Sequence, residues 1–159
     1  AARADWGREM PPHEGLGVAV GHGQERGMPT WVACVAHVAI DPSSGDISLK
    51  KLWQTIDVGT VVNPDGAMAQ AEGAALWGVS LALHEGAAFA AGEVSEQNLD
   101  RYTPLRMSDV PDLDIKFVDS TAFPSGLGEP PLIPVAPAIG NAVFAATGRR
   151  VRDLPIRLA

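Results

Sequence analysis

Cysteine is nearly missing from this chain of 159 residues, where Cys34 stands alone. A single thiol excludes an internal disulfide framework and any cysteine-built zinc or iron–sulfur site within the chain. Positive charge is scarce as well. Twelve Lys and Arg face nineteen Asp and Glu, a formal net charge of −7, which argues against nucleic acid or an acidic membrane surface as the partner. Four of the bases crowd the last eleven residues as Arg149, Arg150, Arg152 and Arg157. That tail reads as a helix C-terminus with arginines complementing the dipole, followed by a solvated exit. Long hydrophobic helices are absent too. The longest uncharged run, Pro130–Gly148, has the length of a membrane span, but Pro130, Pro131, Pro134, Pro137 and Gly140 exclude one continuous helix. The histidines His13, His22, His37 and His84 fall neither at i, i+4 on a helix nor in a cluster with carboxylates, so they make no metal site.

What is abundant is Gly (17) and Pro (13), in a chain with four Trp, one Tyr and four Phe. Residues 1–14 are polar and broken by Pro11 and Pro12, and read as a lead-in outside the core. Gly15–Gly23 alternates Leu16, Val18, Val20 and His22 with small residues, a strand whose other face lets something approach its backbone. Gln24–Thr30 reads as a loop. Trp31–Ile40 is apolar on both alternating faces and is expected to be a central strand covered on both sides, with Cys34 a buried structural thiol and His37 a strand residue with a hydrogen bond. Asp41–Gly45 is a turn leading into a strand over Asp46–Val58.

Asn63-Pro64-Asp65 supplies an N-cap, a proline at the first helical position and an acid at the positive dipole end. Met68, Ala71, Ala75, Leu76, Val79 and Leu83 recur at helical spacing until His84-Glu85-Gly86. A small hairpin is expected within Ala87–Asn98, a half-exposed edge strand over Asp112–Ser120, a loop over Ser125–Pro131 and a second helix over Pro137–Thr147, closed by Gly148. This order gives an α+β fold, a largely antiparallel or mixed sheet packed against two helices.

Two side chains stand out chemically. Glu129 lies between Gly128 and the pair Pro130-Pro131, which should turn it away from helical angles, and the uncharged segment that follows suggests an apolar border that would favour a proton acceptor. Its local features alone favour an ordinary exposed turn carboxylate. Gln70 and Glu72 are, apart from the Trp77 indole, the only polar side chains between Asp65 and Ser80. A carboxamide at Gln70 can donate and accept, which suits the edge of a heterocycle, and equally suits an amide tied to a neighbouring loop.

Five segments in order, Trp31–Asp41, Asp57–Pro64, Gln70–Ala74, Gly126–Pro131 and Asn141–Gly148, resemble the C-terminal part of the molybdenum-binding large subunit of the xanthine dehydrogenase and aldehyde oxidase family. The nearest flavour is the isoquinoline 1-oxidoreductase or bacterial aldehyde dehydrogenase type. The resemblance covers nearly all of residues 15–159, the expected domain. It implies a molybdenum–molybdopterin cofactor, in its cytosine dinucleotide form by the bacterial resemblance, with iron–sulfur clusters on a partner subunit. Water-derived oxygen would be inserted into a C–H bond of an aldehyde or aromatic N-heterocycle. Glu129 matches the family's general base and Gln70 the glutamine that hydrogen-bonds the pterin. Gly73 and Ala74 would admit cofactor or neighbouring backbone, and Gly128 would support Glu129. The family's large subunit is several times longer, so the resemblance makes this chain a piece that needs the rest of that subunit and is inactive alone. The alternative is a scaffold that keeps the fold without the cofactor. The chain begins at Ala1 without a secretory-type leader pattern, and its compartment, cytoplasm or periplasm, is not written in it.

Overall fold

The computed structural model describes residues 1–25 and 27–158. Alternating small and branched residues make β1 (Glu14–Glu25), which pairs antiparallel with β2 (Met28–Ile40) from Glu14↔Ala39 to Glu25↔Met28. The expected loop over Gln24–Thr30 is therefore much shorter. The ladder runs through its polar residues and through Pro29 opposite Gln24, and Gly27 at φ +81° marks the reversal. β3 (Ile47–Asp57) pairs antiparallel with β2, with an irregularity between His37 and Val38. His37 finds the partner expected of a strand histidine, its Nε2 lying 2.6 Å from Glu14 Oε2.

Helix α1 (Pro64–Leu83) forms where its capping residues require. Asn63 is extended at φ −128°, and its Oδ1 accepts from Gly66 N at 3.1 Å. A small hairpin follows, β4 (Phe89–Ala90) with β5 (Glu93–Val94), turning through Ala91 and Gly92 at positive φ. β6 (Asp112–Phe117) then returns to lie parallel to β3, giving one mixed sheet in the order β1-β2-β3-β6. Helix α2 (Val135–Thr147) closes on Gly148 at φ +72°. It starts two residues before the expected Pro137, because a proline in the first turn gives up no intrahelical bond. The uncharged run from Pro130 is split between a 3-10 turn, Pro130–Leu132, and the 13 residues of α2. A helix of that length is about 20 Å long, short of the roughly 30 Å hydrocarbon core of a bilayer.

Both helices cover the same face of the sheet. Val32, Cys34, Ala36 and Val38 of β2 and Leu52 and Ile56 of β3 pack with Ala71, Ala75 and Val79 of α1 and with Val135, Ala138, Ile139, Ala142 and Val143 of α2. β1 meets α2 with bare backbone. A Cβ on Gly17 would stand 2.1 Å from Ala142 N and 2.2 Å from Ala138 O. The opposite face corrects two expectations. The first residues are not outside the core, since Ala4 is buried with Leu16, Val35 and Trp53 and flanked by Met10. Arg3 fixes this segment, its Nη1 pairing with Asp114 Oδ1 at 2.5 Å and its Nη2 donating to Gln54 O at 2.6 Å. Nor is β2 covered on both sides throughout. Beyond that cover, Val20 and Trp31 are 68% and 49% exposed, because among the described residues no further layer lies over them, and the Trp31 ring has only the neighbouring His22 ring beside it.

Cys34 is fully buried on the inner face, and burial pushes its thiol up to about 12, against a smaller opposing effect of the Gln54 amide beside it. A neutral, enclosed thiol is a poor nucleophile at ordinary pH. The folded chain should leave a disulfide reagent such as DTNB unreacted at pH 8 for an hour, then release one equivalent of chromophore once guanidinium is added. Immediate stoichiometric reaction without denaturant would contradict the burial.

Candidate cofactor and catalytic site

The loop that carries Glu129 leaves β6, crosses the end of β3 and enters α2. Its first anchor is backbone. Gly59 sits at φ +73° with Phe123 O only 2.3 Å from where a Cβ would be, so no other residue fits there, and Thr60 N donates to Ala122 O at 2.9 Å. Ser125 N then donates to Val58 O at 3.0 Å. The next anchors are side chains from the sheet, and both are fully buried. Thr30 Oγ1 of β2 lies 2.5 Å from Gly126 O and 2.7 Å from Ser125 Oγ. Gln54 Nε2 of β3 donates to Pro131 O at 2.6 Å. Sequence reasoning missed both residues. The signal for Gln54 was available, since it is the one polar side chain among the inward positions Leu52, Gln54 and Ile56.

Glu129 caps the 3-10 turn with φ −114° and ψ −36°, within the helical region rather than away from it. The usual pre-proline preference gives way because Glu129 O must accept from Leu132 N, at 3.0 Å, to open the turn. Pro130 and Pro131 are buried while the Glu129 side chain is exposed. Its carboxylate faces solvent in this chain, and the apolar border expected from the following segment lies underneath the loop, in the core.

Gln70 lies on the exposed side of α1, and its Oε1 is 3.5 Å from the position a Cβ on Gly128 would take. The amide is therefore beside the loop yet open to solvent, with donor and acceptor capacity to spare. Gly73, one turn further on, is exposed with open space within 4 Å of its Cβ position. Gln70 and Gly128, with Glu129 next in the chain, thus form an open shelf between α1 and the loop, and Gly73 is exposed one turn further along the helix. Ala74 does not join it, because its side chain is turned inward and only 4% exposed. Among the described residues no group of three His, Cys, Asp or Glu could hold a metal ion. The shelf offers an amide, a carboxylate and bare backbone, a donor set for a polar organic group.

Residues 11–111 match the molybdopterin cofactor-binding domain family. The chain belongs to that family. This molybdopterin cofactor-binding domain is 51% identical over 158 residues to a membrane-bound aldehyde dehydrogenase of Gluconacetobacter polyoxogenes whose name also carries pyrroloquinoline-quinone, covering 99% of the chain and 20% of that protein. It is 35% identical over 159 residues to the isoquinoline 1-oxidoreductase subunit beta of Brevundimonas diminuta, covering 100% of the chain and 20% of the relative. Among solved structures it resembles the aldehyde oxidoreductase of Desulfovibrio desulfuricans ATCC 27774, with a TM-score of 0.71 and 27% identity over 80% of the chain and 14% of that structure. The domain spans about a fifth of the length of the two sequence relatives. The family match takes in Gln70, Gly73 and Ala74 and ends before Gly128 and Glu129.

Proposed function

We propose that the chain is the part of a molybdenum hydroxylase large subunit that supplies the general base, Glu129, and one pterin contact, Gln70. The observation that carries this reading is the juxtaposition of two segments 58 positions apart, which sets the Gln70 amide against bare Gly128 beside the exposed Glu129 carboxylate. When bound, the molybdenum–pterin group supplies the two-electron oxidation by which a water-derived oxygen is placed on carbon. Gln70 holds the group by its amide, which can donate from Nε2 and accept at Oε1. Gly73 keeps α1 clear of it, and Gly128 keeps the loop backbone clear. Glu129 accepts the proton of the attacking oxygen at a carboxylate oxygen, from a loop whose neighbours are locked by Pro130 and Pro131. The remainder of the large subunit must supply the other walls, because every one of these groups is exposed here. An iron–sulfur partner subunit carries the electrons away. Aldehydes are favoured over N-heterocycles as substrate by the 51% identity to an aldehyde dehydrogenase, and the cytosine dinucleotide form of the pterin by the likeness to bacterial enzymes.

The test uses the full-length protein that carries this chain, purified with its partners. Elemental analysis should find about one molybdenum per large subunit, and a quinone chromophore without molybdenum would overturn the cofactor reading. Gln70→Ala should lose at least half of that molybdenum on extensive dialysis. Full retention would remove Gln70 from the groups that hold the pterin.

A further inference from the structure

The loop bearing Glu129 is poorly equipped to hold itself. Pro130 and Pro131 have no N–H, and Pro134 has none to offer Pro131 O, three residues earlier, as the next bond of the 3-10 turn. Two side chains from the sheet make up the deficit. Gln54 gives its Nε2 proton to Pro131 O at 2.6 Å. A carbonyl can only accept, so this bond fixes which end of the amide points at the loop. At the other end, Gly126 O takes the single hydroxyl proton of Thr30, and Ser125 Oγ donates in turn to Thr30 Oγ1 at 2.7 Å. Glu129 lies between the two tethers, three residues after Gly126 and two before Pro131.

Packing alone does not account for these residues. Both side chains are fully buried on the inner face of the sheet, whose other inward positions are apolar. The amide is kept even though its Oε1, also buried, has no hydrogen-bond partner. An unpaired buried carbonyl is destabilising, so Gln54 holds the loop at a cost to the core.

We propose that Thr30 and Gln54 are positioning residues that pin the Gly126–Pro131 loop to the sheet at both ends and so set where the Glu129 carboxylate is presented. The inference deepens the reading of Glu129 as the general base and rests on it. A reacting group displaced by a fraction of an ångström reacts far more slowly, because the aligned geometry is itself a large part of the rate.

The variants are Thr30→Val and Gln54→Met, made in the full-length enzyme with its partners. Each should lower kcat about 10-fold with KM and molybdenum content unchanged. Thr30→Ser, which keeps the hydroxyl, should restore kcat. Hydrogen exchange, read by mass spectrometry on peptides spanning residues 125–132, should quicken about 10-fold in both variants while peptides from α1 stay as they were. Added to Glu129→Gln, either variant should remove much less activity than it does alone, since both act through that carboxylate. Unchanged exchange in the loop, or losses that simply multiply, would overturn the proposal. If Glu129→Gln keeps full turnover, the general-base reading fails, while the exchange arm still reads the tethers. Should Gln54→Met fail to fold, Thr30→Val decides. If neither folds, the two residues serve the core alone and the proposal is wrong.

Discussion

Glu129→Gln in the full-length enzyme should lower kcat by about 10²–10⁴-fold, the range for removal of a general base, with molybdenum content unchanged. The substitution is nearly isosteric, and within this chain the side chain is exposed, so the packing of this domain stays as it was. The fold of the loop does not depend on the carboxylate. Glu129 enters the turn through its backbone carbonyl, which accepts from Leu132 N, and the flanking tethers come from Thr30 and Gln54. A glutamine keeps that carbonyl and the side-chain length but cannot take up a proton. The measurement is steady-state turnover of an aldehyde beside metal content per subunit. Turnover within threefold of the parent, at equal molybdenum, would exclude Glu129 as the base. Contrasted with Gln70→Ala, the pair separates chemistry from retention, since one substitution should cost rate at constant metal and the other metal first.

The largest structural effect should come from one methyl group. Gly17→Ala places a Cβ 2.1 Å from Ala142 N, 2.2 Å from Ala138 O and 2.7 Å from Asn141 C, all backbone atoms of α2. No rotamer change relieves a clash with a helix backbone, so α2 must move away by about an ångström or more. It would carry Val135, Ala138, Ile139, Ala142 and Val143 away from the sheet. We expect a loss of about 3 kcal/mol, the upper end of the usual cost of overpacking, a large share of the 5–15 kcal/mol by which a domain is typically stable. Thermal unfolding followed by circular dichroism would show it as a strongly lowered midpoint or as failure to fold. Gly73→Ala is the natural control, since its Cβ meets open space in the middle of a helix and gains about 1 kcal/mol of helix propensity. Similar midpoints for the two alanine variants would refute the close-approach account.

α1 was legible from end to end, because its signals are local. Asn63, Pro64 and Asp65 open it and the spacing of Met68 to Leu83 carries it, with no help from distant residues. The bare face of β1 was legible in kind, since Gly15, Gly17, Gly21 and Gly23 announce close neighbours without naming α2, which meets the first two, or the Pro130–Pro134 turn, which meets the others. The parallel return of β6 was not, because periodicity gives a strand its faces but not its neighbour or direction. The cover that residues 1–14 give the outer face was hidden for a similar reason. Ala4 and Met10 form no periodic pattern, and they matter only because Leu16, Val35 and Trp53 wait beneath them. At the site, Gln70, Gly128 and Glu129 stood out by composition and by resemblance. Thr30 and Gln54 did not, since their roles depend on carbonyls 96 and 77 residues away along the chain.

The sheet's first strand is roofed by the chain's last helix, and this sets a timetable for synthesis. A ribosome releasing this segment from its N-terminus delivers β1, β2, β3 and α1 long before α2. Until Thr147 emerges, Gly15 and Gly17 of β1 and the inner valines of β2 lack the cover that α2 gives them. The nascent sheet therefore spends most of its synthesis half-roofed, the kind of exposed state that invites aggregation and chaperone binding. A chain cut short before Val135 would leave that state permanent.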